Sequence, residues 1–249
     1  MKIVAIIQAR MSSSRLPAKV LKEISGKPML QHVVERVRRS QMVDDVLVAT
    51  TVETSDDPLV DYCHQAGIPV FRGQLHDVLD RFYQAAKFSG ADVVVRITAD
   101  CPVIDPTLID ELVRQFLAAK VDFAANRLPP PWKRTFPIGL DAEVCTFSAL
   151  ERAWREADQK YQREHVMPYL YEHDGRFEVL VMNYHIDYGE LRWTVDTPQD
   201  LEFIQHVFKL FEGNNTFGWL EILNLVQQHP ELAEINADVR HKVFNESEQ

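Results

Sequence analysis

Lys2-Ile3-Val4-Ala5-Ile6-Ile7-Gln8-Ala9-Arg10-Met11-Ser12-Ser13-Ser14-Arg15-Leu16-Pro17-Ala18-Lys19 begins as a near-continuous apolar run and switches abruptly into a turn of cations and hydroxyls. An apolar run without polar alternation is what a strand buried on both faces of a parallel sheet requires. The chain keeps this rhythm, with strands expected over residues 2–7, 45–51, 68–71, 92–98, 121–125 and 141–147. Residues 28–40, 58–66, 76–89, 106–119 and 148–158 carry apolar side chains at three- and four-residue spacing, so helices are expected between the strands. Pro28, Pro58 and Pro106 stand at helix starts, where a missing N–H costs nothing. The alternation predicts an α/β fold with an open, mainly parallel sheet flanked by helices.

Past residue 125, Leu128-Pro129-Pro130-Pro131-Trp132-Lys133-Arg134 can continue neither a helix nor a central strand and marks a boundary or lid. Beyond it a helix is expected over 163–173, strands over 177–183 and 191–195, and helices over 198–211 and 217–229. The economical organisation is a single domain, 1–249, with an N-terminal part (1–125), a middle subregion (126–190) and a C-terminal part (191–249). An apolar face around residues 219–225 would suit a homodimer.

A composition of 46% hydrophobic and 26% charged residues is that of an ordinary globular chain. The net charge of −10 argues against nucleic acid as a partner, because such binders need clustered Lys and Arg. The first forty residues are nonetheless locally basic, which points to a confined anion site; Arg36, Arg38 and Arg39 read instead as a solvated helix face. Three widely spaced cysteines, Cys63, Cys101 and Cys145, suggest neither a disulfide framework nor a zinc knuckle and fit a reducing cytoplasm. The opening apolar run is too short for a signal sequence, and no run reaches the ~18 apolar residues of a membrane span.

Ligands of open α/β sheets collect beyond the carboxyl ends of the strands. That rule selects the turns after Ile7, Thr98 and Val195 and the segment 139–143. In the first turn, Arg10, Arg15 and Lys19 with three serine hydroxyls suit a polyphosphate, since guanidinium forks and ammonium groups match phosphate oxygens. The turn is neither a P-loop nor a dinucleotide fingerprint, because the glycine patterns of both are missing. Asp100 and Asp196 each follow an apolar run in front of a turn. Two such carboxylates facing a triphosphate loop supply the oxygen ligands that Mg²⁺ takes alongside substrate phosphates. Singly, each has a structural reading, Asp196 as a helix N-cap and Asp100 as a turn residue.

These stretches, with Gly26-Lys27-Pro28-Met29-Leu30, Phe71-Arg72-Gly73, Asp77-Val78-Leu79-Asp80-Arg81, Arg96 through Pro106, Gly139-Leu140-Asp141-Ala142-Glu143-Val144, Arg163-Glu164-His165 and Leu191 through Asp200, resemble the spore-coat polysaccharide biosynthesis cytidylyltransferases (SpsF-like) over nearly the whole chain. They are also similar to the synthetases that make CMP-Kdo and CMP-sialic acid. The resemblance implies a nucleotide-diphospho-sugar transferase fold (GT-A-like, Rossmann-like) and transfer of CMP from CTP to a sugar acid or related sugar. It implies that Arg10, Ser13, Arg15 and Lys19 form the triphosphate loop and that Asp100 and Asp196 are the metal ligands. Gln8, Ala9, Thr98, Asp77 and Arg81 complete the expected nucleotide side. For Asp77, a helix N-terminus that favours acids is an equal explanation. On the acceptor side the candidates are Asp141, Glu143, Arg163 and His165. Strand alternation accounts as well for Asp141 and Glu143, and packing against Tyr169 for His165.

Two departures from the related sequences stand out. Ala18 occupies a position usually held by Gly, and Arg96-Ile97-Thr98-Ala99-Asp100 differs from the related synthetases. Two alternatives remain at this point: a glycosyltransferase that consumes a nucleotide sugar, whose frequent Asp-x-Asp motif is missing here, and a non-catalytic nucleotide-binding homologue.

Overall fold

The computed structural model describes residues 1–240. Residues 241–249, the end of the expected C-terminal part, lie outside the described residues. Strand β1 (Ile3–Gln8) leads through a 3-10 turn (Lys19–Leu21) into a small ribbon of β2 (Glu23–Ile24) and β3 (Lys27–Pro28). Then follow α1 (Met29–Val37), β4 (Asp45–Thr51), α2 (Asp57–Gln65), β5 (Val70–Gly73), α3 (Val78–Ser89), β6 (Val93–Thr98) and α4 (Pro106–Ala119). The remainder supplies β7 (Phe123–Ala125), β8 (Glu143–Thr146), α5 (Phe147–Glu156), α6 (Lys160–His165), α7 (Pro168–Tyr171), β9 (Val179–Val181), α8 (Pro198–Leu210), α9 (Trp219–Gln228) and α10 (Glu231–Glu234).

Seven strands form one sheet in the order β5-β4-β1-β6-β8-β7-β9. The first four are mutually parallel, β8 runs antiparallel to both its neighbours, and β9 is parallel to β7. The apolar run of β1 is explained by its central place: Ile3, Ala5 and Ile7 enter the core on one face, while Val4 and Ile6 enter the core on the other. From β1 the chain moves outward to β4 and β5, then crosses back to β6 on the opposite flank. The order therefore reverses between β1 and β6, and a crevice opens beyond their carboxyl ends, where Gln8 lies in register with Thr98.

Four expectations require correction. Residues 163–173 do not form one helix; Val166 takes φ 73 and the chain restarts at Pro168, which cannot donate the hydrogen bond that continuity needs. Residues 191–195 do not join the sheet. That segment is extended, but its bonds run to loops, from Trp193 N to Ile138 O at 2.7 Å and from Val195 N to Asp100 O at 2.8 Å. Arg36 is fully buried rather than solvated. Its guanidinium donates to Asn215 Oδ1 and the Phe217 carbonyl and lies 4.3 Å from the Phe217 ring centroid, and burial, reinforced by Arg39, pulls its pKa down to about 9. Finally, the apolar face of α9 turns inward: Trp219, Ile222, Leu223 and Val226 are buried within the chain, and Leu220, at 51%, is the exposed exception on that stretch. Among the described residues no helix is long and apolar enough to cross a membrane.

Candidate active site

The turn after β1 is pinned from beneath by Asp56. This buried carboxylate accepts from Met11 N at 2.7 Å, Thr50 Oγ1 at 2.9 Å and Thr51 N at 3.1 Å. Burial works to raise its pKa, but the bonds from Thr51, Met11 and Thr50 outweigh it and hold the group charged. Ala18 N closes the turn on Met11 O at 2.9 Å. The resulting loop walls a cavity of about 210 Å³ lined by Gln8, Ala9, Arg10, Ser12, Ser13, Ser14, Arg15 and Lys19 on one side and by Thr98, Asp100 and Asp196 on the other.

Ala18 closes the turn at φ 56, ψ 23, in the left-handed region. A Cβ there costs about 1–2 kcal/mol, and part of that gain is lost to the freer unfolded chain when Gly replaces Ala. Ala18→Gly is therefore expected to stabilise the fold by about 0.5 kcal/mol, raising Tm by about 1–2 °C. A lower Tm in calorimetry would show that the turn does not carry this strain.

Lys19 brings the two aspartates together. Its Nζ donates to Asp100 Oδ2 at 2.9 Å, Asp196 Oδ1 at 2.8 Å and the Val195 carbonyl at 2.9 Å. Burial alone would lower the lysine pKa; the charges of Asp100 and Asp196 prevail and raise it. Arg15 Nη2 reaches Asp196 Oδ2 at 2.9 Å, and Arg192 Nη2 reaches the same oxygen at 3.0 Å. Burial pushes the Asp196 pKa up, and Lys19, Arg15 and Arg192 together drive it well below the carboxylate range. Asp196 is not the N-cap of α8. That role belongs to Thr197, which accepts from Asp200 N.

Behind Asp196 stands a network absent from the sequence reading. Fully buried Asp200 accepts from Arg192 Nε and Nη2, both at 2.9 Å, from Asp196 N and Thr197 N, both at 3.0 Å, and from Asn236 Nδ2 at 3.0 Å. The backbone that presents Asp196 is thus held from below by one carboxylate.

A second cavity, of about 170 Å³, shares Thr98, Asp100 and Asp196 with the first and extends past Arg96, Arg127, Asp141, Glu143 and Thr194. Glu143 is ion-paired with Arg96, which also donates to Gln8 Oε1 at 3.1 Å. Asp141 is held bidentately by Arg134 at 2.5 and 3.0 Å. Gly139 makes the wall possible, since with φ 107 a Cβ would lie 2.6 Å from Thr194 N. Arg127 lines this cavity without an ion pair among the described residues, and nothing in the sequence marked it.

Other expected residues have structural partners. Asp77 caps α3 by accepting from Asp80 N at 2.9 Å and pairs with Arg163 Nη2 at 2.5 Å. Arg163 also donates to the Trp154 carbonyl at 2.7 Å, tying α6 to α3 and α5. Buried Arg81 donates to the Gln74 carbonyl at 2.5 Å. Asp77, Arg81, Arg163 and His165 line neither cavity. Burial is the main cause that lowers the His165 pKa, with Arg96 and Arg127 adding to it against Glu164 and Glu143.

A family model described as cytidylyltransferase matches residues 4–226. The spore coat polysaccharide biosynthesis protein SpsF of Bacillus subtilis is 30% identical over 238 residues, covering 93% of this chain and 96% of that protein. The 3-deoxy-manno-octulosonate cytidylyltransferase of Trichlorobacter lovleyi is 39% identical over 119 residues, 47% of this chain and 46% of that protein. A solved cytidylyltransferase from Leptospira borgpetersenii superposes with a TM-score of 0.88 at 31% identity, covering 98% of this chain and 99% of that one. With its cationic first turn set against two acids across the β1–β6 crevice, and with that family match over most of its length, the chain belongs to the cytidylyltransferase family of nucleotidyltransferases.

Proposed function

We propose that the protein transfers CMP from CTP to a hydroxyl of a sugar acid or related sugar, with release of pyrophosphate, in the synthesis of a surface polysaccharide or glycoconjugate. The observation that carries this reading is the pair of cavities that meet at Thr98, Asp100 and Asp196. One is walled by cations suited to a triphosphate, the other by a polar rim suited to a hydroxylated acceptor. A ligand in each would bring an acceptor hydroxyl to an α-phosphate across the shared acids, and such positioning is a large part of catalysis in phosphoryl chemistry. The acceptor oxygen forms its bond to the α-phosphorus as the α–β bridging P–O bond breaks. Arg10, Arg15 and Lys19 then face the charge that grows on the departing pyrophosphate. The kinship with SpsF supports the polysaccharide context.

Mg²⁺ fits the donor set. The two carboxylates converge closely enough to share one ammonium, and among the described residues there is no group of three or more His, Cys, Asp or Glu side chains suited to a metal. Two carboxylates completed by phosphate and water oxygens are Mg²⁺ chemistry, whereas zinc sites use three or four protein ligands. Asp100 and Asp196 would hold the ion, which would withdraw charge from the α-phosphate.

The reading is tested by following pyrophosphate release from each of the four nucleoside triphosphates with Mg²⁺ and a panel of sugar acids that includes 3-deoxy-manno-octulosonate. CTP with an acid should give turnover that chelation abolishes. Consumption of a nucleotide sugar instead, or equal use of all four triphosphates, would overturn it. Arg127 is the cation available to an acceptor carboxylate. Loss of one charged hydrogen bond of about 1.5–3 kcal/mol predicts that Arg127→Ala raises the acceptor KM by about 10- to 100-fold with the CTP KM unchanged.

A further inference from the structure

We infer that Lys19 is an internal counter-ion, seated in the divalent-cation position of the nucleotide-free enzyme, and that the metal therefore enters with the nucleotide rather than ahead of it. The inference rests on the reading of Asp100 and Asp196 as metal ligands.

The geometry is specific. An ammonium has three donors, and those of Lys19 go to Asp100 Oδ2, Asp196 Oδ1 and the Val195 carbonyl at 2.8–2.9 Å. At 12% side-chain exposure this is no loosely tethered surface lysine. It fills the space between the two carboxylates that would hold the proposed ion. The acids are already met by protein cations. Through contacts of 2.8–3.0 Å, Lys19, Arg15 and Arg192 oppose Asp100, Asp196 and Asp200, and Arg10 lines the same cavity. A dication added to this half-buried cluster would bring two positive charges with no partner, and uncompensated buried charge is strongly unfavourable.

A triphosphate changes that balance. It brings at least as many negative charges as the ion brings positive ones and offers new acceptors to Arg15 and Lys19, both of which already line the cavity that would receive it. The flexible stem of a lysine lets the ammonium move from carboxylate to phosphate without disturbing its backbone. Departure of the ammonium frees one oxygen on each aspartate for the ion that accompanies the nucleotide.

The test is Mn²⁺ binding to nucleotide-free protein, read by electron paramagnetic resonance. Lys19→Met keeps the volume and removes the charge, and should bind Mn²⁺ at least about tenfold more tightly than wild type. Lys19→Arg, which retains a cation, should bind as weakly as wild type, and adding Asp196→Asn to Lys19→Met should erase the gain. Lys19→Gln provides the same comparison should Lys19→Met fail to fold. Equal Mn²⁺ affinity in wild type and the uncharged variants overturns the inference. Chelation of the wild-type enzyme during turnover separates the two readings. If it abolishes CTP-dependent pyrophosphate release while Mn²⁺ affinities are equal, only the counter-ion role falls; if turnover survives chelation, the metal reading falls and takes the inference with it.

Discussion

Replacing Asp196 with Asn is expected to cut cytidylyl transfer by on the order of a thousandfold in kcat/KM, the loss seen when a group aimed at developing transition-state charge is removed. Asp196 is one of three residues shared by the two cavities, and its carboxylate receives Lys19, Arg15 and Arg192 at 2.8, 2.9 and 3.0 Å. The amide keeps the shape but forfeits the charge that Lys19, Arg15 and Arg192 converge on, and on the proposed reading a Mg²⁺ ion would lose one of the two carboxylates that would hold it. Folding should survive, because Lys19 retains Asp100 and the Val195 carbonyl and Arg192 retains Asp200. Pyrophosphate release, measured beside a circular-dichroism melt, decides the matter. A variant that melts like wild type and turns over within tenfold of it would remove Asp196 from the chemistry.

Much of this convergence could be read from the chain because each part is a local pattern. An apolar run that ends in Gln8 and a turn crowded with Arg10, Arg15 and Lys19 needs no partner to be recognised, and β-α-β alternation brings such turns to one edge of a sheet. Asp100 and Asp196 could be picked out for the same reason, although the segment before Asp196 proved to be an extended loop and not a strand. What escaped were groups whose role is to be buried opposite a distant partner. Arg192 sits in an alternating run and Asp200 at the third position of α8, and neither bears a local mark of being the other's counter-ion. Arg127, beside a proline-rich loop, carries no pattern at all. Arg36 did leave a trace. It falls on the stripe of Met29 and Val33, at spacings of seven and three, and a cation on an apolar stripe is a buried cation with carbonyl partners to find. Likewise Pro168 announced the break between α6 and α7, against the apolar periodicity that ran through it.

Asp200→Ala should be the most destabilising single change at the site, by about 3–5 kcal/mol, the usual result of stripping one partner from a buried ion pair. The carboxylate is 0% exposed and accepts five hydrogen bonds, two from Arg192, two from the backbone at Asp196 and Thr197, and one from Asn236. Its removal strips the buried Arg192 guanidinium of the carboxylate that accepts from both its Nε and its Nη2, and frees the turn that presents Asp196 to both cavities. Activity should fall with stability even at temperatures where the variant is folded, because the turn that presents Asp196 is no longer fixed. Acid should narrow the difference. Burial raises the Asp200 pKa, yet hydrogen bonds from Arg192, Asn236 and Asp196 N hold it below its unfolded value. A group depressed in this way contributes fully above the unfolded pKa of about 3.9 and loses that contribution as pH falls through the folded value. Denaturant melts should therefore show a constant gap between wild type and Asp200→Ala across neutral pH that shrinks below about pH 4. A gap under about 1 kcal/mol at pH 7 would mean that Arg192 and the Asp196 turn are held by something other than this carboxylate.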